Sequence, residues 1–328
     1  MTDFVFSTYM QGNGSYYWLC QRLKTAMFNA GHNAVCIGDV INYSGPSLKD
    51  FVHIHISSYN ASYDFLASEA RKKFGHTYIL ADTVLVKSPI LQLPEWEKRF
   101  DVTFVATSIY NYFKLSRFIK IKFMPHVVPV DSFTPIEPRH MWFIIGANEQ
   151  GYDRKGMFLA FWLQQAGFPV KAVCHNMCPP GFASPNISNE AMEEKWKNVK
   201  WYLAFSHAES PHLPLVESYL HGVPSFYHDA TEMQYIGIGV PLPTGYPQIR
   251  GQKEILAWEY DYGRLWESVE RVWKYPEDLY VELSKAVYKY GKKWFGPDRL
   301  KDLANLDMVE YNPGDLIREA GELRNAFQ

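Results

Sequence analysis

The sequence predicts an α/β protein built from two Rossmann-like domains that face each other across a cleft. Short apolar runs of four to six residues alternate with helix-length amphipathic stretches, the pattern of parallel strands covered by helices. The alternation halts at Phe133-Thr134-Pro135-Ile136-Glu137-Pro138, which has two prolines and no apolar periodicity, and then restarts. A chain of 328 residues, 47% hydrophobic and 21% charged, has enough apolar side chains for two ordinary cores. The expected division is a first domain over residues 1–135, a second over 136–300, and a helical tail over 301–328 that is free to pack back on the first.

In the first domain, Phe4–Thr8 reads as a strand followed by the loop Gln11-Gly12-Asn13-Gly14-Ser15. A helix begins at Ser15, whose hydroxyl suits a cap, and Leu19, Leu23, Ala26, Met27 and Ala30 fall on one face of it. Gly31 supplies a left-handed stop, and Ala34–Ile37 completes a β-α-β unit. Further strands are expected at Phe51–Ile56, Thr77–Leu80, Val102–Ala106 and Phe123–Val128. His53 and His55 alternate with apolar residues and read as packed or hydrogen-bonded side chains. In the second domain, strands are expected at Trp142–Ile145, Val170–Cys174, Trp201–Phe205 and Ser225–Tyr227, with helices at Met157–Ala166 and Leu215–His221. From about Tyr262 the chain is helical, with Leu265, Val269 and Val272 on one side.

Composition narrows the function. With 33 basic against 35 acidic residues the formal charge is −2, so there is no global field to gather nucleic acid or acidic membrane. No run approaches the roughly 18 apolar residues that span a bilayer, and MTDFVFSTYM has no signal-peptide character; a cytoplasmic protein is expected, with peripheral membrane contact left open. Four cysteines are too few for a disulfide scaffold, and Cys20, Cys36 and Cys174 sit in apolar runs as buried free thiols would. Cys174-His175-Asn176-Met177-Cys178 contains zinc-ligand types but no second pair at finger spacing, so no metal and no cofactor are expected.

The strongest chemical signal is SHAESPHLPLVESYLHGVP, Ser206–Pro224, in which Glu209 stands in a loop after a strand and Glu217 inside the next helix. A helix N-terminus favours anions because its free N–H groups and dipole point outward. One carboxylate beside a bound anion could hold sugar hydroxyls, and the other, a turn or more inside, could accept from a ribose.

ESPHLPLVE resembles the Glu-seven residues-Glu signature of the family 4 retaining glycosyltransferases of GT-B architecture, commonly EGFGLPLLE, and SYLHGVPSFYHD is similar to their AMACGVPVVASD. Gly12–Gly38 resembles their glycine loop, first helix and next strand; DFVHIHISS, Asp50–Ser58, resembles DVVHVHS; MPHVVPVDSFTP, Met124–Pro135, resembles IPNGVDLERFRP. YDRKGMFLAF, Tyr152–Phe161, resembles the RKG segment. These matches run in the family's own order.

The resemblance implies transfer of a sugar from a nucleotide diphosphate sugar to an acceptor hydroxyl on a glycan, lipid or protein, metal-independent and with retention. It gives Lys155 and Glu209 the catalytic roles, at the diphosphate and the donor sugar. Arg154, Glu217, His212, Leu213, Pro214, Gly12, Gly14 and His126 would bind the donor, Glu217 through the ribose. Asp82 stands near where the family often has an acceptor-side histidine. The family's second basic residue is replaced by Ala147, so either Arg154 supplies that charge or fewer cations hold the diphosphate. Pro211 and His212 replace residues that shape the family's sugar pocket. Two rivals are an epimerase or hydrolase of sugar nucleotides and a binding module without turnover; the near-neutral charge argues against a nucleic-acid acceptor.

Overall fold

The computed structural model describes residues 2–9, 15–81, 92–130, 133, 139–146, 156–174, 182–184, 189–206, 213–229, 232–242, 247–249, 255–258 and 262–328. The chain forms two compact units: Met1–Val130 with Lys293–Pro313, and Asp131–Lys292 with Gly314–Gln328. The segment expected as a tail over 301–328 is thus shared between them.

The first unit contains β1 (Asp3–Ser7), α1 (Ser15–Asn29), β2 (Asn33–Ile37), β3 (Val52–Ser57), α2 (Tyr59–Ala67), β4 (Thr77–Ala81), α3 (Leu93–Phe100), β5 (Val102–Ala106), α4 (Ile109–Leu115) and β6 (Lys122–Phe123). They build a parallel sheet in the order β2-β1-β3-β4-β5-β6. Parallel strands need crossovers, and the helices supply them while covering the sheet. Phe4, Phe6, Ile54, Ile56, Ile79 and Phe104 form its core with Leu19, Leu23 and Met27 of α1. Ala30 of the expected helix face is exposed, because α1 ends first: Gly31 takes φ +86° and His32 N–H returns to the Met27 carbonyl at 3.0 Å.

Two expectations are corrected here. The strand expected over Phe123–Val128 pairs only through Lys122–Phe123. Pro125 and Pro129 have no N–H to give a ladder, and the backbone bonds instead with the returning segment: Val128 N–H donates to the Phe295 carbonyl at 2.7 Å, and Arg299 Nη1 to that of Pro125 at 3.1 Å. Arg299 is itself buried beside Asp302, whose carboxylate also accepts from Tyr311 Oη at 2.6 Å. Cys20 is buried as expected, but Cys36 is half-buried, because β2 is an edge strand with only β1 beside it.

The second unit contains β7 (Met141–Gly146), α5 (Met157–Gln165), β8 (Val170–Cys174), β9 (Ala183–Ser184), α6 (Asn189–Trp196), β10 (Val199–Ala204), α7 (Leu213–Leu220), β11 (Ser225–His228), α8 (Met233–Ile236) and β12 (Gly239–Leu242). A two-stranded antiparallel ribbon follows, β13 (Pro247–Ile249) with β14 (Ile255–Trp258). The helices α9 (Tyr262–Trp273), α10 (Glu277–Phe295), α11 (Leu300–Leu303) and α12 (Pro313–Ala326) complete the chain; α10 carries the boundary between units inside it, and α11 belongs to the first unit. The sheet order is β12-β11-β10-β7-β8-β9, all parallel, the doubly wound dinucleotide-fold order with β7 as its first strand. Trp142, Phe143, Trp201, Leu203 and Phe226 fill its core, and Leu265, Val269 and Val272 of α9 are buried on one side, as their spacing predicts. Among the described residues no helix is long and apolar enough to cross a membrane.

Candidate active site

In an open parallel sheet the winding reverses where the first strand has neighbours reached by crossovers in opposite directions, and a crevice opens beyond the carboxyl ends of those two strands. In the second unit that point lies between β7, ending at Gly146, and β10, ending at Ala204. The chain after β7 carries Arg154 and Lys155 before α5, and the chain after β10 carries Glu209 and His212 before α7. In the first unit the reversal lies between β1 and β3, and Gly12 and Gly14 lie between β1 and α1 in the chain.

The described flanks bring the two segments of the second unit together. Gly156 directly follows Lys155, adopts φ +72°, and lies so close to Phe205 that a Cβ there would stand 2.3 Å from Phe205 Cβ and 2.8 Å from its carbonyl oxygen. Glycine is required both by the left-handed backbone and by this approach. The start of α5 is thereby fixed against Phe205, the residue directly after β10 and four before Glu209. Gly156→Ala is expected to destabilise the second unit by about 2 kcal/mol, since strain and displacement add. Urea unfolding read by tryptophan fluorescence measures it; an unchanged midpoint would mean that Gly156 does not set this junction.

Helix α7 is anchored at its far end. Gly222 follows it at φ +67°, and the buried Arg139 donates to the His221 carbonyl at 3.1 Å and that of Gly222 at 3.4 Å, so a cation satisfies carbonyls at the negative end of the helix. Leu213, Leu215, Val216, Tyr219 and Leu220 are buried, and Tyr219 Oη accepts from Ile238 N–H at 2.7 Å while donating to the Ile236 carbonyl at 2.9 Å. A helix held this way presents its first turn at a fixed place, and first-turn N–H groups have no partner inside the helix. Leu213 and Pro214 lie in that turn, Pro214 without an N–H. Glu217, half-buried one turn further in, faces Tyr202: burial, and secondly the field of Glu217, push the Tyr202 phenol well above its ordinary range, so it stays neutral.

The sequence reading did not single out His228, at the end of β11. It is buried, and its ring stacks on Phe205 at 5.4 Å, beside the Gly156 junction. Its place in SYLHGVPSFYHD was the available signal. His221 is buried too, stacked on Trp196 and 3.1 Å from the Glu193 carboxylate. His126 lies in the first unit just after β6 and is 2% exposed. Gly12, Gly14, Asp82, Arg154, Lys155, Glu209 and His212 lie outside the described residues, as does the segment 175–180 with Cys178.

No family model matches the chain. It is 30% identical over 301 residues, 88% of its length and 93% of the relative's, to a protein of Acidianus bottle-shaped virus named as a glycosyltransferase, ORF315. Among solved structures it is similar to HepE of Anabaena in complex with UDP and glucose, with TM-score 0.61 and 9% identity over 93% of this chain and 99% of that one. It is also similar to WaaG, a glycosyltransferase involved in lipopolysaccharide biosynthesis, with TM-score 0.54 and 10% identity over 91% and 99%. At such identities these likenesses establish the fold, and that fold is the GT-B arrangement of two Rossmann-like units. By its likeness to ORF315 along nearly all of both chains, the protein belongs to a glycosyltransferase family, and its architecture is GT-B.

Proposed function

We propose that the protein transfers a sugar from a nucleoside diphosphate sugar to an acceptor hydroxyl with retention of anomeric configuration, in the cytoplasm and without a metal ion. The observation that carries this reading is the coincidence of the winding reversal between β7 and β10 with the two motif segments that follow those strands. A doubly wound sheet binds ligands there, and the residue types are those a sugar diphosphate needs. Lys155, with Arg154, takes the charge that develops on the leaving diphosphate as the bond to the anomeric carbon lengthens. The first turn of α7, around His212, Leu213 and Pro214, adds backbone donors and the helix dipole. Glu209 accepts from donor-sugar hydroxyls and orients the ring; Glu217 accepts from the ribose. Gly12 and Gly14 let backbone approach the diphosphate, while His126 and Asp82 serve the donor and acceptor sides of the first unit. The acceptor hydroxyl attacks from the face the phosphate leaves. The solved relative HepE holds UDP and glucose, which makes UDP-glucose the first donor to test.

A thermal-shift screen of UDP, GDP, ADP and their sugar conjugates tests the reading. A ligand at about a hundred times its Kd stabilises the state it binds by about 2.7 kcal/mol, roughly 5 °C or more for a unit of this size. A shift with one nucleoside diphosphate and its sugar is the expected result. Free sugar released without acceptor would reassign the protein as a hydrolase, and no shift with any diphosphate would remove the proposal.

A further inference from the structure

The stretch from Val102 to Val130 contains no aspartate or glutamate but holds Lys114, Arg117, Lys120 and Lys122, in a chain whose formal charge is −2. Positive charge is thus concentrated on one short piece of the first unit. Helix α4 buries Ile109, Asn111 and Leu115 and leaves Phe113 exposed. Beyond it the backbone tightens into a turn, in which the Phe118 and Ile119 N–H groups both donate to the Leu115 carbonyl, at 2.9 and 3.0 Å. Arg117, Phe118 and Lys120 consequently stand in solvent, Phe118 with 61% of its surface exposed. Met308, 87% exposed, lies close by in the fold: Lys122 Nζ on β6 donates to the Asp307 carbonyl at 2.6 Å and to that of Leu306 at 3.3 Å, which holds the Met308 segment along this edge strand. Those carbonyls occupy Lys122, and Lys114 Nζ lies 5.7 Å over the Tyr110 ring. Among the described residues Arg117 and Lys120 form no ion pair, so no carboxylate neutralises them. Asp307 and Glu310 flank Met308 in the chain, which leaves the α4 turn as the cationic part of the patch.

We propose that the α4 turn docks on the surface of an anionic lipid bilayer, with Phe118 and Phe113 entering the boundary between headgroups and acyl chains and Arg117 and Lys120 meeting the headgroup charge. The charge complementarity is direct: uncompensated cations flank an apolar tip, and an anionic leaflet is negative at its surface and apolar just beneath. Long basic side chains suit that place, because their stems lie along apolar surface while their heads stay with the headgroups. A second protein fits less well, since three exposed apolar side chains offer far less than the roughly 800 Å² per partner that a stable interface buries. Single-stranded nucleic acid is held along a cationic groove, whereas this patch is a helix end and a protruding turn. The docking does not depend on the transfer reading above, because the turn lies beside the edge strand β6 of the first unit and contains none of the residues given a role in transfer.

The test is co-sedimentation of the full-length protein with vesicles of phosphatidylcholine alone and of equal parts phosphatidylcholine and phosphatidylglycerol. Binding to the anionic vesicles and little to the neutral ones is the expected result. Most of it should be lost as salt rises from about 0.1 M to 1 M and the Debye length falls from about 10 Å to 3 Å. Each surface cation strengthens such binding about fivefold, so Arg117→Glu combined with Lys120→Glu should weaken it by about 25-fold or more. Phe118→Ser should weaken it about tenfold, and Phe118→Leu should largely keep it, since leucine preserves the apolar tip. These positions are exposed, so the variants should melt with the parent; where one does not, the two vesicle types and the salt dependence of the parent protein decide. Equal binding to both vesicle types, or a loss on charge reversal with none from Phe118→Ser, would overturn the proposal. So would single-stranded RNA bound by the patch where vesicles are not, or a dimer that Phe118→Ser dissociates and anionic vesicles leave intact.

Discussion

Lys155→Ala and Glu209→Ala are each expected to lower the turnover of sugar transfer by about 10²–10³-fold, with the melting temperature within a degree or two of the parent. The expected size is that of removing one preorganised group from developing charge in a site that excludes water. In the proposed mechanism Lys155 meets that charge on the diphosphate, which would bind in the ground state as well; its loss should therefore raise KM and lower kcat together. In the proposed mechanism Glu209 holds the sugar whose anomeric carbon reacts, so kcat should bear most of its loss. Arginine at 155 should restore only part of the activity, because a planar fork does not replace a compact ammonium. Glu217→Gln should act mainly on KM through the ribose. The fold should be indifferent to all of them, because the junction beside Lys155 is set by Gly156 against Phe205 and α7 is held from its other end by Arg139. Single-turnover transfer from a donor identified by the binding screen measures the effects. Near-parental rates in both alanine variants would end this mechanism.

Loss of stability in acid should be the largest effect in the first unit, and it follows from His53 and His55. Both are fully buried on β3, bridged by Ser7 Oγ at 2.7 Å from His53 Nε2 and 2.9 Å from His55 Nδ1. Thr77 Oγ1 donates to the Gly75 carbonyl at 3.3 Å and so accepts from His53 Nδ1 at 2.9 Å. It follows that His53 Nε2 accepts the Ser7 hydroxyl proton and that Ser7 accepts from His55 Nδ1, a chain that requires His53 to be neutral. A second proton on His55 would sit on Nε2, which has no hydrogen-bond partner among the described residues. Burial accordingly lowers the His55 pKa to about 3, and burial, followed by the charges of His55 and Arg71, lowers that of His53 well below its ordinary range.

In the unfolded chain both rings titrate near 6.5. Below that pH the unfolded state binds more protons than the native one, so stability is fully present above it and is lost as pH falls toward 3. Each histidine contributes about 1.4 kcal/mol per pH unit in that window, and His55 alone about 4–5 kcal/mol by its lower end. Hydrogen exchange of peptides covering β3 and β4, corrected for intrinsic rates, should lose roughly tenfold protection per histidine per pH unit below about pH 6. His55→Leu should make the dependence shallower by one such step. Protection that stays level from pH 7 to pH 4 would contradict the account.

The β-α-β alternation, the α1 stop at Gly31 and the buried face of α9 were legible in the sequence because each depends on residues within a turn or two of one another. The Glu209–Glu217 and RKG segments were singled out through their resemblance to short, collinear family motifs, and the roles given to them rest on that resemblance. Other features required the tertiary structure. Nothing near Phe123–Val128 shows that its backbone would bond with residues 295–299, and nothing near Arg139 shows that it would close a helix ending 81 residues later. The contact of Gly156 with Phe205, and the proton order that keeps His53 neutral, likewise depend on strands brought side by side. Sequence periodicity records which face of an element is apolar, but it carries no term for which distant backbone carbonyl or ring will meet that face once the sheet closes, and those meetings decide where the chemistry is held.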